Sequence, residues 1–147
     1  MADDAERLAE AVGRSMLADD AASRGLGMVL EEIAPGRARM RMLVRHDMIN
    51  GHELCHGGLI FALADSAFAF ACNAGNRVTV AASAEIHFVS PARKGEMLRA
   101  DAQERAQGGR SGVYDVEVTE ADSGRLVALF RARAHRLEGQ VVAEEAP

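Results

Sequence analysis

From Gly57 to Asn76 the sequence reads GGLIFALADSAFAFACNAGN, and Asp65 is its sole formally charged residue. A helix that is apolar all round is buried on nearly every side. The stretch from Leu59 to Cys72 is about fourteen residues long and is broken by a carboxylate, whereas a bilayer span takes roughly 20. It is therefore a core helix and not a membrane segment. A helix of roughly 17 residues is about 25 Å long, enough to cross a sheet. Its far side still needs a cover, and a second subunit is the simplest one.

The rest of the chain supplies that sheet. The spacing of Leu8, Val12 and Met16 predicts an amphipathic leading helix over about 3–18, with acids in its first turn. From Leu26 the period changes to two, beginning with Met28. Leu30, Ala38, Met40, Met42 and Val44 fall on one face and Arg37, Arg39 and Arg41 on the other, around an Ala34-Pro35-Gly36 turn. A polar loop, HDMINGHELCHGG, leads into the central helix, expected over about 57–74. Four alternating segments follow, carrying Ala84, Ile86 and Phe88; Leu98, Ala100 and Ala102; Tyr114, Val116 and Val118; and Leu126, Ala128, Phe130, Ala132 and Ala134. Turn signals between them predict an antiparallel meander, and the tail after 136 is expected to be loose. The whole chain, 1–147, reads as a single α+β domain in which about six antiparallel strands curl around one long helix.

Composition narrows the function. With 17 Lys and Arg against 22 Asp and Glu the net charge is −5, so the chain lacks the electrostatic footprint of a general nucleic-acid binder. A phosphate-bearing small ligand remains compatible with local clusters of cations. Two cysteines, Cys55 and Cys72, are too few for a disulfide framework. The acidic, polar start Met1-Ala2-Asp3-Asp4 has no secretory profile, and a reducing cytoplasm is expected.

Asp65 is the strongest chemical signal, because an isolated carboxylate in an apolar helix costs several kcal/mol unless it is paired, hydrogen-bonded or protonated. Either helix geometry turns it to solvent or a loop cap, or its apolar setting makes it a base or nucleophile. Gly57-Gly58 opens the same helix. Two glycines there either make a tight turn or leave backbone N–H groups uncovered at the positive end of the helix dipole, where an oxyanion or polarised carbonyl can sit. Eight residues of helix separate Gly57 from Asp65 by about 12 Å, too far for one small acyl group to touch both in one chain. Two antiparallel copies of the helix about a two-fold axis would bring Gly57 of one to Asp65 of the other.

Around this pair, Asn50 either turns the chain with Gly51 or donates to a carbonyl held at the glycines. His46, His52, Cys55 and His56 offer a rival reading as metal ligands, although their spacing matches no usual zinc pattern. Cys55 could also be a histidine-activated nucleophile, or simply a small core residue. Arg93 and Lys94 after Pro91, and Arg110 after Gly108-Gly109, are exposed cations able to meet a phosphate tail or to serve as plain surface charge.

The segments NGHELCHGGLIFALADSAFAFACN and FVSPARKGEMLRADAQERAQGGRSGVYDVEV resemble the hotdog-fold acyl-CoA thioesterases, most closely the phenylacetic-acid-degradation thioesterase type. The resemblance runs over about residues 10–136 and is carried by Asn50 to His56-Gly57-Gly58 to Asp65. It implies a long helix wrapped by an antiparallel sheet, dimers that pair their sheets, and commonly a homotetramer made of two dimers. On matching positions, Asp65 would act as base or nucleophile on the thioester, and the Gly57 amide of the partner subunit would polarise its carbonyl. Asn50 and His56 would help place the thioester, with Gly58, Arg93, Lys94 and Arg110 toward coenzyme A. No metal or separate cofactor is implied, since coenzyme A is part of the substrate, and hydroxyphenylacetyl-CoA is the implied type of substrate. Related enzymes often carry a hydroxylated residue one turn after the acid. Here that position is Ala69, while Ser66 points to a different side of the helix. The alternative is an acyl-CoA-binding hotdog module without turnover. A hydratase would want an Asp and a His working together on enoyl carbons, which His56 and Asp65 do not obviously supply.

Overall fold

The computed structural model describes residues 2–143. A leading helix α1 (Ala2–Asp19) and a short α2 (Ala21–Gly25) precede a hairpin of β1 (Val29–Ala34) and β2 (Arg37–Leu43). After a 3₁₀ turn at His46–Met48 comes the central helix α3 (Gly57–Asn73), then β3 (Thr79–Phe88), β4 (Met97–Gly108), β5 (Ser111–Glu120) and β6 (Leu126–Arg136). The six strands form one antiparallel sheet that wraps α3, the hotdog arrangement.

The strand order is β1-β2-β4-β5-β6-β3. This corrects the expected four-strand meander: β4, β5 and β6 follow one another, but β3 crosses over to pair with β6, leaving β4 free to join β2. Alternation specifies which face a residue takes and not which strand lies beside it. The chain between β3 and β4 carries Pro91, and its Val89 and Ser90 amides both donate to Val127 O, so it leaves the sheet instead of turning back as a tight hairpin. As a result β3 is an edge strand. Ala84 is exposed, Ile86 half-buried and Phe88 54% exposed, so the face on which alternation groups these three is not a core face.

The core lies between α3 and the sheet. Leu63, Phe68 and Phe70 pack among Met40, Met42, Leu98, Val116 and Val118, all essentially inaccessible. Each such side chain contributes about 1.5–3 kcal/mol on burial. Phe68 meets Tyr114 edge-on, with ring centroids 5.5 Å apart. The outer sheet face is charged as expected: Arg39 pairs with Asp101 and Glu32, and Arg99 with Glu31. α1 rests on β1 through Gly13, where a Cβ would come within 2.9 Å of Leu30 Cδ2.

Asn73 fixes the far end of α3. Its Nδ2 donates to Ala69 O (2.8 Å) and Thr79 O (3.0 Å), and its Oδ1 accepts from Thr79 N–H (2.9 Å). The stretch expected to be loose after 136 is tied down as far as Val142, which exchanges two 2.9 Å hydrogen bonds with the side chain of Asn76. Residues 144–147 of that tail lie outside the described residues. No described helix is long and apolar enough to cross a membrane.

Candidate active site

α3 is not sealed all round. Gly57, Gly58, Phe61, Ala62, Asp65 and Ala69 form a stripe of incompletely covered positions along a helix that is otherwise mostly buried, because 57/58, 61/62, 65 and 69 recur at the helical three-to-four spacing. Ser66 borders this stripe but is held elsewhere, its Oγ 2.9 Å from Ser23 Oγ on α2. The side chain of Ser23 in turn donates to Asp20, the N-cap of α2. The structure thus takes Ser66 away from Asp65, and one turn beyond the acid only the methyl group of Ala69 is present.

Asp65 is half-buried and has neither ion pair nor hydrogen bond among the described residues. Burial pushes its carboxyl above the usual aspartate range. The thiol of Cys72, buried two turns further along α3, is pushed up to about 12, chiefly by burial and further by the Asp65 charge. A desolvated carboxylate with no cation beside it is more basic than one in water, the property required of a base or nucleophile.

At the helix start, His56 is the N-cap. Its Nδ1 accepts from Gly58 N–H at 3.1 Å, which requires that a neutral ring carry its proton on Nε2. Leu59 N–H and Ile60 N–H go to His56 O at 2.9 and 3.4 Å. Of the first-turn donors, Gly57 N–H alone has no partner among the described residues. The two glycines therefore differ: the Gly58 amide is engaged by the His56 ring, whereas the Gly57 amide has no partner among the described residues. Phe88 packs against the Cα side of Gly57, where a Cβ would meet Phe88 Cζ at 3.0 Å. Phe61, one turn from both Gly57 and Asp65, packs edge-on against Phe130 at 5.3 Å. Sequence reading missed Phe61 and Phe88 as site residues. The four-residue spacing 57-61-65 pointed to the first; nothing local pointed to the second.

The loop before α3 is pinned by backbone bridges from Ile49 to Cys55 and from Leu54 to Arg93, and by Cys55 N–H to Ala92 O at 2.8 Å. Arg93 and Lys94 thereby stand beside the helix start, and Lys94 Nζ donates to His46 Nδ1 at 3.4 Å. Asn50 Oδ1 accepts from His52 N–H (2.9 Å) and Leu54 N–H (3.2 Å), which leaves its Nδ2 as the group able to donate. Arg110 is not part of this cluster. It sits in the β4–β5 turn, where its carbonyl accepts from Arg136 N–H, near the opposite end of α3.

Among the described residues no three His, Cys, Asp or Glu side chains converge as metal ligands. Burial pushes the Cys55 thiol up to about 11, away from the thiolate a nucleophile needs.

A family model described as "Thioesterase superfamily" matches residues 52–128. The chain is 42% identical over 130 residues to the acyl-coenzyme A thioesterase PaaI of Escherichia coli, covering 88% of this chain and 92% of that protein. The solved structure of the E. coli PaaI protein from the phenylacetic acid degradation operon superposes with a TM-score of 0.90 at 40% identity, covering 92% of this chain and 97% of that one. A mutant of the phenylacetic acid degradation protein PaaI from Thermus thermophilus superposes with a TM-score of 0.75 at 38% identity, covering 78% and 97%.

Proposed function

Because the chain belongs to the thioesterase superfamily, we propose that it is an acyl-coenzyme A thioesterase whose sites are built by two subunits. The observation that carries this reading is the pairing, on one uncovered helix stripe, of a free amide at Gly57 with an unpartnered, desolvated carboxylate at Asp65. The amide polarises the thioester carbonyl and holds the oxyanion as the tetrahedral intermediate forms. Asp65 either attacks the carbonyl carbon, giving an anhydride that water then opens, or takes a proton from the attacking water. Either way the carbon–sulfur bond breaks, and the products are a carboxylic acid and the free thiol of coenzyme A. Asn50 Nδ2 and the Nε2–H of His56 are the side-chain donors beside the carbonyl. The reaction so written needs no metal.

The 12 Å rise from Gly57 to Asp65 calls for two antiparallel helices, and the open edge of β3 offers a route to them. Exposed Val80, Phe88 and Val89 lie along this unpaired edge, which a second copy can extend by strand addition. A homodimer, or a tetramer of two dimers, is the working unit. Phe61 and Phe88 flank the carbonyl position with aromatic faces, which suits an arylacetyl group such as hydroxyphenylacetyl. Arg93 and Lys94 beside the helix start, together with Arg110 of the second chain, supply cations for the phosphates of coenzyme A. Free, buried Cys55 and Cys72 fit a reducing cytoplasm.

One observation favours a binding module without turnover: Ala69 and the tethered Ser66 leave no hydroxyl beside Asp65 to hold a water. A panel of aryl and fatty acyl-CoAs, assayed by thiol release, decides between the two. The wild type is expected to hydrolyse the aryl members, and Asp65→Ala to lose at least about a hundredfold. Tight binding with no thiol released across the panel overturns the enzyme in favour of the module.

A further inference from the structure

The crossover between β3 and β4 is fixed at its two ends by backbone bonds, from Val89 N–H and Ser90 N–H to Val127 O and from Gly95 N–H to Val44 O (2.8 Å). Its middle, Pro91 to Arg93, is held from two sides. On one side lies the loop that leads into α3, joined through Cys55 N–H to Ala92 O and the Leu54–Arg93 bridge. On the other lies the side chain of Arg125. Its Nε donates to Ser90 Oγ (3.3 Å), and its Nη2 to Pro91 O (3.1 Å) and to both carboxylate oxygens of Glu96 (3.0 Å each). Glu96 also accepts from Arg93 N–H at 2.6 Å. One guanidinium thus staples the start of the crossover to its end, a use of the fixed donor fork that a lysine cannot copy. Arg125 itself springs from a stiff turn: Glu120 accepts from Asp122 N–H and Ser123 N–H (2.9 Å each), and Ser123 Oγ from Arg125 N–H (3.1 Å).

We propose that Arg125 is a positioning residue of the reaction, setting the Gly57 amide through this crossover. The proposal rests on the thioesterase reading above. The path alternates hydrogen bonds with short pieces of chain. Arg125 holds Pro91 O, the neighbouring Ala92 O holds Cys55 N–H, and two residues further on Gly57 presents the amide assigned to the thioester carbonyl. The side-chain donors of the site stand on the same frame, since Asn50 N–H donates to Leu54 O (2.7 Å) and His56 N–H to Met48 O (2.8 Å). Phe88, against the Cα side of Gly57, is the residue from which the crossover starts. An oxyanion donor works at about 2.7–3.1 Å from the oxygen it stabilises, and a misplacement of about 1 Å can cost about a hundredfold in rate. Stability is not what the staple supplies. The Arg125 side chain is 40% exposed, and an ion pair so close to water adds little to the fold.

The test is a double-mutant cycle on the intact oligomer, read as thiol release at saturating phenylacetyl-CoA. Arg125→Met keeps the stem and removes the donors. It is made in the wild type and in Gly57→Pro, which lacks the amide. The expected loss in kcat is about tenfold in the wild type and less than about twofold in Gly57→Pro, where no amide is left to position. An equal loss in both backgrounds, as a general loosening of the fold would give, overturns the proposal, and so does no loss in either. Arg39→Gln breaks an ion pair with Asp101 on the outer sheet face and is expected to keep full activity; a loss there as large as that of Arg125→Met also overturns it. Should Arg125→Met misfold, Glu96→Gln removes half of the staple and is expected to lose severalfold with the same dependence on background. Native-state hydrogen exchange reads the staple without turnover: the Cys55 amide is expected to exchange at least about tenfold faster in Arg125→Met, with the core amides of β4 and β5 unchanged. If the thioesterase reading itself fails, the wild type releases no thiol, which ends the catalytic role of Arg125, while faster or unchanged exchange at Cys55 still upholds or overturns the staple.

Discussion

Gly57→Pro separates the catalytic role of an amide from its role in the helix. Gly57 is the first residue of α3 after the N-cap His56, the position where proline is best tolerated because its missing N–H has no helical acceptor anyway. His56 already has φ −59° and ψ 130°, the extended conformation that a following proline demands. Reduced freedom of the unfolded chain adds about 0.4–1 kcal/mol of stability. Against this, the new Cβ meets Phe88 Cζ at 3.0 Å, and carbon pairs prefer about 3.5–4.0 Å, so the ring must withdraw by roughly 0.5 Å. Phe88 is half exposed and can do so. The net change in stability is therefore within about 1 kcal/mol. Removing an oxyanion donor, by contrast, costs about 2.7–4 kcal/mol of transition-state stabilisation, or 10²–10³ in kcat. Gly57→Ala imposes the same contact on Phe88 and keeps the N–H. Thiol release and urea unfolding are measured on both variants. Gly57→Pro is expected to fall about a hundredfold or more below Gly57→Ala at similar stability, and equal activity of the two refutes the assignment of this amide to the carbonyl.

Mixed oligomers of Asp65→Asn and Gly57→Pro should regain about a quarter of wild-type activity, since half the dimers are hetero and each has one intact site of two; mixtures no more active than either parent rule out the shared site. Burial raises the Asp65 pKa in the folded state, so the native protein binds that proton more tightly and stability falls as pH rises from the unfolded to the folded pKa. Asp65→Asn is accordingly expected to gain stability over wild type at neutral pH and to lose that advantage in acid, as read by urea unfolding across the pH range. The acid limb of kcat/KM should lie above the ordinary aspartate range, and a difference in stability that ignores pH contradicts the cause assigned. Asn73→Ala leaves the buried Thr79 N–H and C=O unpaired and should cost about 2–4 kcal/mol, a fall of roughly 5–15 °C in Tm by calorimetry; a smaller loss means that water replaces the clamp.

The sequence by itself determined the central helix, its burial and the strands, with alternating faces on all but β3, and it suggested the pairing of Gly57 with Asp65. These are local facts, because a run of side chains sets its own period and a carboxylate among apolar neighbours is visible without a fold. Even the proposal of a site shared by two subunits followed from the rise of a helix. Tertiary structure decided what depends on residues far apart in the chain. It placed β3 at the sheet edge beside β6, because alternation encodes a face and not a neighbour. It engaged the Gly58 amide with the His56 ring and left that of Gly57 free, a distinction two adjacent glycines cannot show in one dimension. It tied Ser66 to Ser23 across 43 positions and set Phe88 against Gly57. It also moved Arg110 away from Arg93 and Lys94, because the β4–β5 turn lies near the opposite end of the helix.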